Sequence, residues 1–204
     1  MATVAEPLPA PAPAPAATAS RPAIKIVPLA GLPVVAVVMI GMIVAIASNA
    51  HWALDFYHVV GGGLWTAVDL FLGLVLGPIM GMMSIPARIE LSSRLMPKLL
   101  LIMPTLVTMT LGSGFQLARK VGNLSPSSPN HGWLLASYIV VGVMAVIALG
   151  LLEPANIAVL FEMKKPKPDV ARIGKLMRVF IYTAGVTGLM QVATLVIMTK
   201  IASN

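Results

Sequence analysis

A chain of 204 residues that is 58% hydrophobic and only 10% charged has too few polar residues to clothe a water-facing surface, since soluble domains run near 25% charged. Its formal net charge of +7 comes with no RNA- or DNA-binding pattern, so no nucleic-acid partner is expected; positive loops that set membrane topology account for it. The absence of cysteine excludes disulfides, thiolate metal sites and cysteine nucleophiles.

Mean hydropathy is +0.92, and several apolar stretches reach the ~20 residues that cross a ~30 Å hydrocarbon layer. These runs lack the alternation of barrel strands, and backbone amides in lipid must find partners within their own segment. The expected fold is therefore all-α: a polytopic integral membrane helical bundle.

In chain order, residues 1–27 come first. PLPAPAPAPAATAS alternates proline with alanine and has no apolar periodicity, so a disordered, polyproline-like cytoplasmic tail is expected. Residues 28–204 form the transmembrane domain, with spans at about 29–48, 56–83, 95–117, 133–161 and 178–200. The first is an anchor helix and the other four form the core. No internal repeat is obvious, so an inverted-repeat transporter is not indicated. Placing the N-terminus in the cytoplasm gives the inner side Arg21, Lys25, Arg88, Arg94, Lys98 and the basic run from Lys164 to Arg178. The outer side then keeps Arg119, Lys120 and Lys200. Positive residues favour the inside, so the N-terminus is expected inside and the C-terminus outside. IPARIELSSRLMPK (85–98) reads as a short surface helix, and KKPKPDVARIGKLMR (164–178) as a basic loop suited to anionic headgroups. A rival reading makes residues 21–50 a cleaved leader, with SNA just ahead of His51 as the cleavage site. The new N-terminus would then set an amine beside the His51 imidazole, a possible copper chelate.

Six polar residues and a histidine loop need explaining. His51, Asp55 and His58 lie at i, i+4 and i+7 near the outer end of span two, and His131 lies in the outer loop before span four. Imidazole and carboxylate suit zinc, copper or iron. The competing reading leaves His51 solvated, makes Asp55 a helix cap and uses Trp52 and Tyr57 as headgroup anchors. His58 is followed by Gly61, Gly62 and Gly63, a shelf that admits either a flat ligand such as haem or a closely packed helix. Asp69 shares a helix face with His58 and Trp65, roughly 16 Å deeper at 1.5 Å per residue. A central aspartate must face the bundle and find a partner; Gln191, Thr105, Thr108 and Thr110 stand at similar depth. It is a proton carrier, a ligand-binding carboxyl or a structural pin. Glu153-Pro154-Ala155-Asn156 interrupts span four and predicts a kink, either a second polar site or the exit from the membrane. The fourteen methionines read as packing material rather than a copper ladder.

From Tyr57 to Gly122, an early helix histidine, the LW pair at 64–65, an arginine-bearing loop and RLMPKLLLIMPTLVTMTLGSGFQLA (94–118) follow in an order that resembles small bacterial integral-membrane families. These include the copper-resistance D proteins, the membrane protoporphyrinogen oxidases and uncharacterised four- to five-helix proteins. The resemblance implies a bacterial inner-membrane location and haem b on His58. The chain departs from the oxidases in having no lysine inside span five. Phosphate loops, GxSxG, HExxH and dinucleotide fingerprints are absent. The expected function is binding of haem b or a transition metal near the outer face, for redox or metal handling. Alternatives are a non-catalytic membrane subunit or scaffold, with membrane-protein partners or a homo-oligomer, and a small-solute or proton-coupled carrier using Asp69 and Glu153.

Overall fold

The computed structural model describes residues 26–203. The expected Pro/Ala-rich tail therefore lies, but for Ile26 and Val27, outside the described residues. Among these there is no strand, and five helices are long and apolar enough to cross a membrane: α1 Leu29–Ser48, α2 His51–Met82, α3 Ile85–Lys120, α4 His131–Lys164 and α5 Val170–Ala202.

Four of the helices outrun the apolar spans that announce them. The stretch 85–98 is not a separate surface helix but the first turns of α3. Its buried Ser92, Met96 and Leu99 extend one inward face without a break, and Ser92 Oγ donates to Arg88 O at 2.6 Å. Arg88 itself donates to Met83 O at 2.9 Å and Gly81 O at 2.6 Å, occupying carbonyls at the end of α2 that would otherwise lack donors. Likewise α5 starts inside the expected basic loop, because Asp169 accepts from the Arg172 amide at 3.0 Å and caps it. Asp55 caps nothing: α2 begins at His51 behind Ala50, and Asp55 sits in its second turn.

Two helices contain π segments, Phe71–Leu76 in α2 and Ala148–Leu152 in α4. Each runs into an X-Pro pair, Gly77-Pro78 and Glu153-Pro154. Proline cannot donate to the carbonyl four residues back and crowds the preceding turn. The residue before it bonds five residues back instead: Gly77 N–H to Leu72 O and Glu153 N–H to Ala148 O. A widened turn thus absorbs each proline and keeps the helix continuous.

The helices pair as α2–α3 and α4–α5, two hairpins of like build, each opening with a histidine and a π-interrupted helix. Lengthwise the hairpins meet where α2 crosses α5. Glycines permit that crossing. A methyl added at Gly73 would run into the Gly185 Cα and lie 2.8 Å from its N, and one at Gly188 would lie 3.0 Å from Leu70 N. At the end where α2 leads into α3, the second half of α4 closes on α3 and α5 around Met96, Met103, Val159, Leu160, Met177 and Phe180. Helix α1 packs against α2 and α3 and leaves most of its surface exposed.

Candidate functional site

At the opposite end, where α2 and α4 begin with His51 and His131, the bundle is splayed. The first half of α4 leans on α5 and scarcely touches α2 or α3. The gap is a cavity of about 750 Å³, within the range of small-molecule and cofactor sites. Its walls are mostly apolar, among them Val59, Leu111, Phe115, Leu134, Val141 and Met144. Besides the hydroxyls of Thr66, Thr110, Ser137, Thr194 and Thr199, the polar groups are His51, Asp55, Asn123 and Asn130 toward the mouth, His58 and Tyr138 on the walls, and Gln191 at the base.

His58 is the positioned one. Its Nδ1 lies 2.9 Å from the Thr110 carbonyl oxygen of α3. A carbonyl only accepts, so Nδ1 carries the hydrogen, and in that tautomer of imidazole the lone pair is on Nε2. The ring sits over Gly114, where an added methyl would fall 2.5 Å from Nδ1 and 2.6 Å from Cε1. Glycine at that position is what lets imidazole reach the α3 backbone. The three glycines after His58 divide their work. Gly61 is buried against α3, where a methyl would meet Thr110 Oγ1 at 2.7 Å, whereas Gly62 and Gly63 line the cavity.

Behind the base lies Asp69, 1% exposed. Gln191 Nε2 donates to its Oδ2 at 2.7 Å, and Thr187 Oγ1 is 3.1 Å from the same oxygen. Gln191 was one of the partners the depth argument offered; the threonines of α3 are not the others. Thr110 and Thr105 turn back onto their own helix, to Leu106 O and Leu101 O, both at 2.7 Å. The glycine crossing explains the choice, since it presses α5 rather than α3 against the Asp69 turn.

The remaining expected residues scatter. His51 and Asp55 are exposed and line the mouth. His131 starts α4 half-buried, its Nδ1 unpartnered, and is not part of the cavity wall. Glu153 follows the π segment of α4, half-buried, in neither network. Among the described residues no three His, Asp or Glu side chains gather where they could hold a metal ion.

Sequence reasoning missed Thr187, Gly114, Tyr138 and the Gly73–Gly185 crossing. One signal was present: Gly73-Leu-Val-Leu-Gly77 is a GxxxG, the spacing that lets membrane helices approach closely. Nothing marked Gly114 or Tyr138 in advance. The chain matches no protein-family model, no curated protein and no solved structure.

Proposed function

We propose that this chain is an integral membrane protein that holds a flat, largely apolar prosthetic group of the haem b type in the splayed cavity, with His58 Nε2 as its protein ligand. One observation carries the reading: the 2.9 Å bond from His58 Nδ1 to Thr110 O. A backbone acceptor on the far nitrogen is how proteins fix the tautomer and orientation of a metal-binding histidine. The ligand inventory points the same way. A bare zinc or copper ion needs three or four protein donors, whereas a porphyrin brings its own four nitrogens and asks the chain for an axial ligand or two. One well-held histidine beside an apolar cavity of about 750 Å³ fits the second demand.

When bound, such a group supplies one-electron redox chemistry. The chain's own part is distinct: Gly62 and Gly63 leave room along one wall, Phe115 and Leu134 keep water from it, and Asn123 and Asn130 make the mouth polar. Orientation follows from charge. Arg88, Arg94, Lys98 and the 164–178 run lie at the end away from the cavity, so the cavity faces outward across a bacterial inner membrane, with the basic end against anionic headgroups.

The test is the visible spectrum, oxidised and reduced, of protein purified in mild detergent from cells supplied with haem precursors. A Soret band lost in His58→Ala is the expected result. A colourless wild-type preparation overturns the reading. A second reading, a non-catalytic membrane subunit, rests on the Gly73–Gly185 crossing, a close helix contact that needs no ligand to account for it. Under it His58→Ala changes nothing measurable.

A further inference from the structure

Among the described residues the carboxyl beneath the cavity has no countercharge. Both donors that reach Asp69 converge on Oδ2, which leaves Oδ1 without a partner in the buried interior. The Trp65 indole lies one turn earlier on the same face but does not reach Oδ1 in hydrogen-bonding geometry. Gln191, 3% exposed, has the same defect at its Oε1. Two buried acceptor oxygens on adjoining side chains thus lack a hydrogen bond of good geometry. Turning the Gln191 amide round does not cure this, because Oε1 would then oppose Oδ2 at 2.7 Å, and oxygen against oxygen needs a positive hydrogen or ion between them.

Among the described residues no fixed cation supplies it. On α5 the nearest charges, Arg178 and Lys200, stand nine residues beyond Thr187 and Gln191 respectively, about 14 Å of helix rise each way. On α3, Arg88, Glu90, Arg94 and an exposed Lys98 lie toward one end and Arg119 and Lys120 at the other. Helix α1 has no ionisable side chain, and α2 offers only His51, Asp55, Tyr57 and His58, all toward its start. On α4, Glu153 and Glu162 are themselves acidic, His131 and Tyr138 lie in its first turns and an exposed Lys164 at its far end. A buried carboxylate left in this state is expensive, and a merely structural pin would bond both oxygens. Gln191 also lines the cavity, so the unpaired oxygens lie one side chain from an opening.

We propose that Asp69 and Gln191 form a site for one exchangeable positive charge, a proton or a monovalent metal cation, reached from the cavity past Gln191. The site stands independently of haem binding: a His58→Ala protein without chromophore retains it.

The experiment uses the full chain in lipid nanodiscs, wild type against Asp69→Asn, which keeps an acceptor for Thr187 and Gln191 while removing the charge. In the proton arm, infrared spectra at neutral pH show a protonated-carboxyl band that is absent from Asp69→Asn and shifts in D2O. In the cation arm, the thermal midpoint rises as sodium or potassium chloride replaces choline chloride at constant ionic strength, and Asp69→Asn flattens the response. Either arm supports the site and names its occupant. Absence of the band together with a cation-independent midpoint overturns it, as does a band that persists in Asp69→Asn. Should that variant fail to assemble, 13C-aspartate labelling of the wild type settles the proton arm, because the other aspartates, Asp55 and Asp169, are exposed. Sodium dependence of the wild-type midpoint, unchanged when Asp55 is replaced by Asn, then decides the cation arm.

Discussion

Replacing Gly73 with alanine tests whether the glycine crossing builds the polar base of the cavity. The new methyl would lie 2.8 Å from Gly185 N and closer still to its Cα. Ordinary contact is about 3.5–4 Å, and the obstacle is backbone, so the helices must part by roughly 1 Å. Asp69 sits one turn away. Its distances to Gln191 and Thr187, 2.7 and 3.1 Å, open with the crossing, and the Thr187 contact passes beyond the ~3.2 Å limit for a hydrogen bond.

Overpacking of this kind costs about 1–3 kcal/mol, and hydrogen bonds in membrane bundles average ~0.6 kcal/mol, so the expected destabilisation is about 2–4 kcal/mol. Equilibrium unfolding in bicelles measures it, with Thr187→Val as the second edge of a double-mutant cycle. Thr187→Val lowers stability in the wild type and has little further effect beside Gly73→Ala, where the bond is already gone. Gly63→Ala is the control, because no atom lies within 4 Å of its methyl; it is neutral or stabilising by up to ~1 kcal/mol through helix propensity. A Gly73→Ala protein within about 0.5 kcal/mol of wild type, like a surface substitution, refutes the reasoning. So does a Thr187→Val effect of equal size in both backgrounds.

Gly114→Ala puts a methyl 2.5 Å from His58 Nδ1, evicts the ring from the Thr110 carbonyl, and reduces chromophore content to the level of His58→Ala in the visible spectrum, while the helices still assemble. His131→Ala leaves that spectrum unchanged, since the residue is outside the cavity wall. At the other end, buried Glu162 holds the α4–α5 loop through Lys165 at 2.7 Å, the Asp169 amide at 3.3 Å and Arg172 at 3.4 Å. Its partners are exposed and screened by solvent, so Glu162→Gln loosens the loop without unfolding the helices. Trypsin cleavage after Lys164 then quickens several-fold, whereas Lys165 and Lys167 are shielded by the prolines that follow them. An unchanged cleavage rate would show that the loop is held by other contacts.

How much of the candidate site was legible differs residue by residue, for physical reasons. His58 stood out because a histidine ahead of three glycines is rare in apolar sequence, yet its role depends on Gly114 and Thr110, more than fifty residues away. Asp69 announced its need for a partner, and helix rise alone placed Gln191 at a matching depth. Thr187 was not distinguishable from the threonines of α3, because depth says nothing about which neighbouring helix comes closest. The likeness of the two hairpins was also hidden. It lies in the π segments and the prolines that follow them rather than in a repeated sequence.

Length and apolarity are additive properties of a segment, so the sequence by itself determined that the fold is all-helical, with five helices long enough to cross a membrane, and where the apolar part of each runs; the helix ends lie up to ten residues beyond it. It also showed that most of the basic residues fall in the segments 85–98 and 164–178, and that Asp69 had to face inward. Tertiary structure alone decided which faces meet. The Gly73–Gly185 crossing sets α2 on α5, α4 splays from α2 and α3, and the cavity and the unpaired oxygens at its base are consequences of that packing. Backbone proximity across helices depends on pairs of residues distant in the chain, and no single segment contains that information.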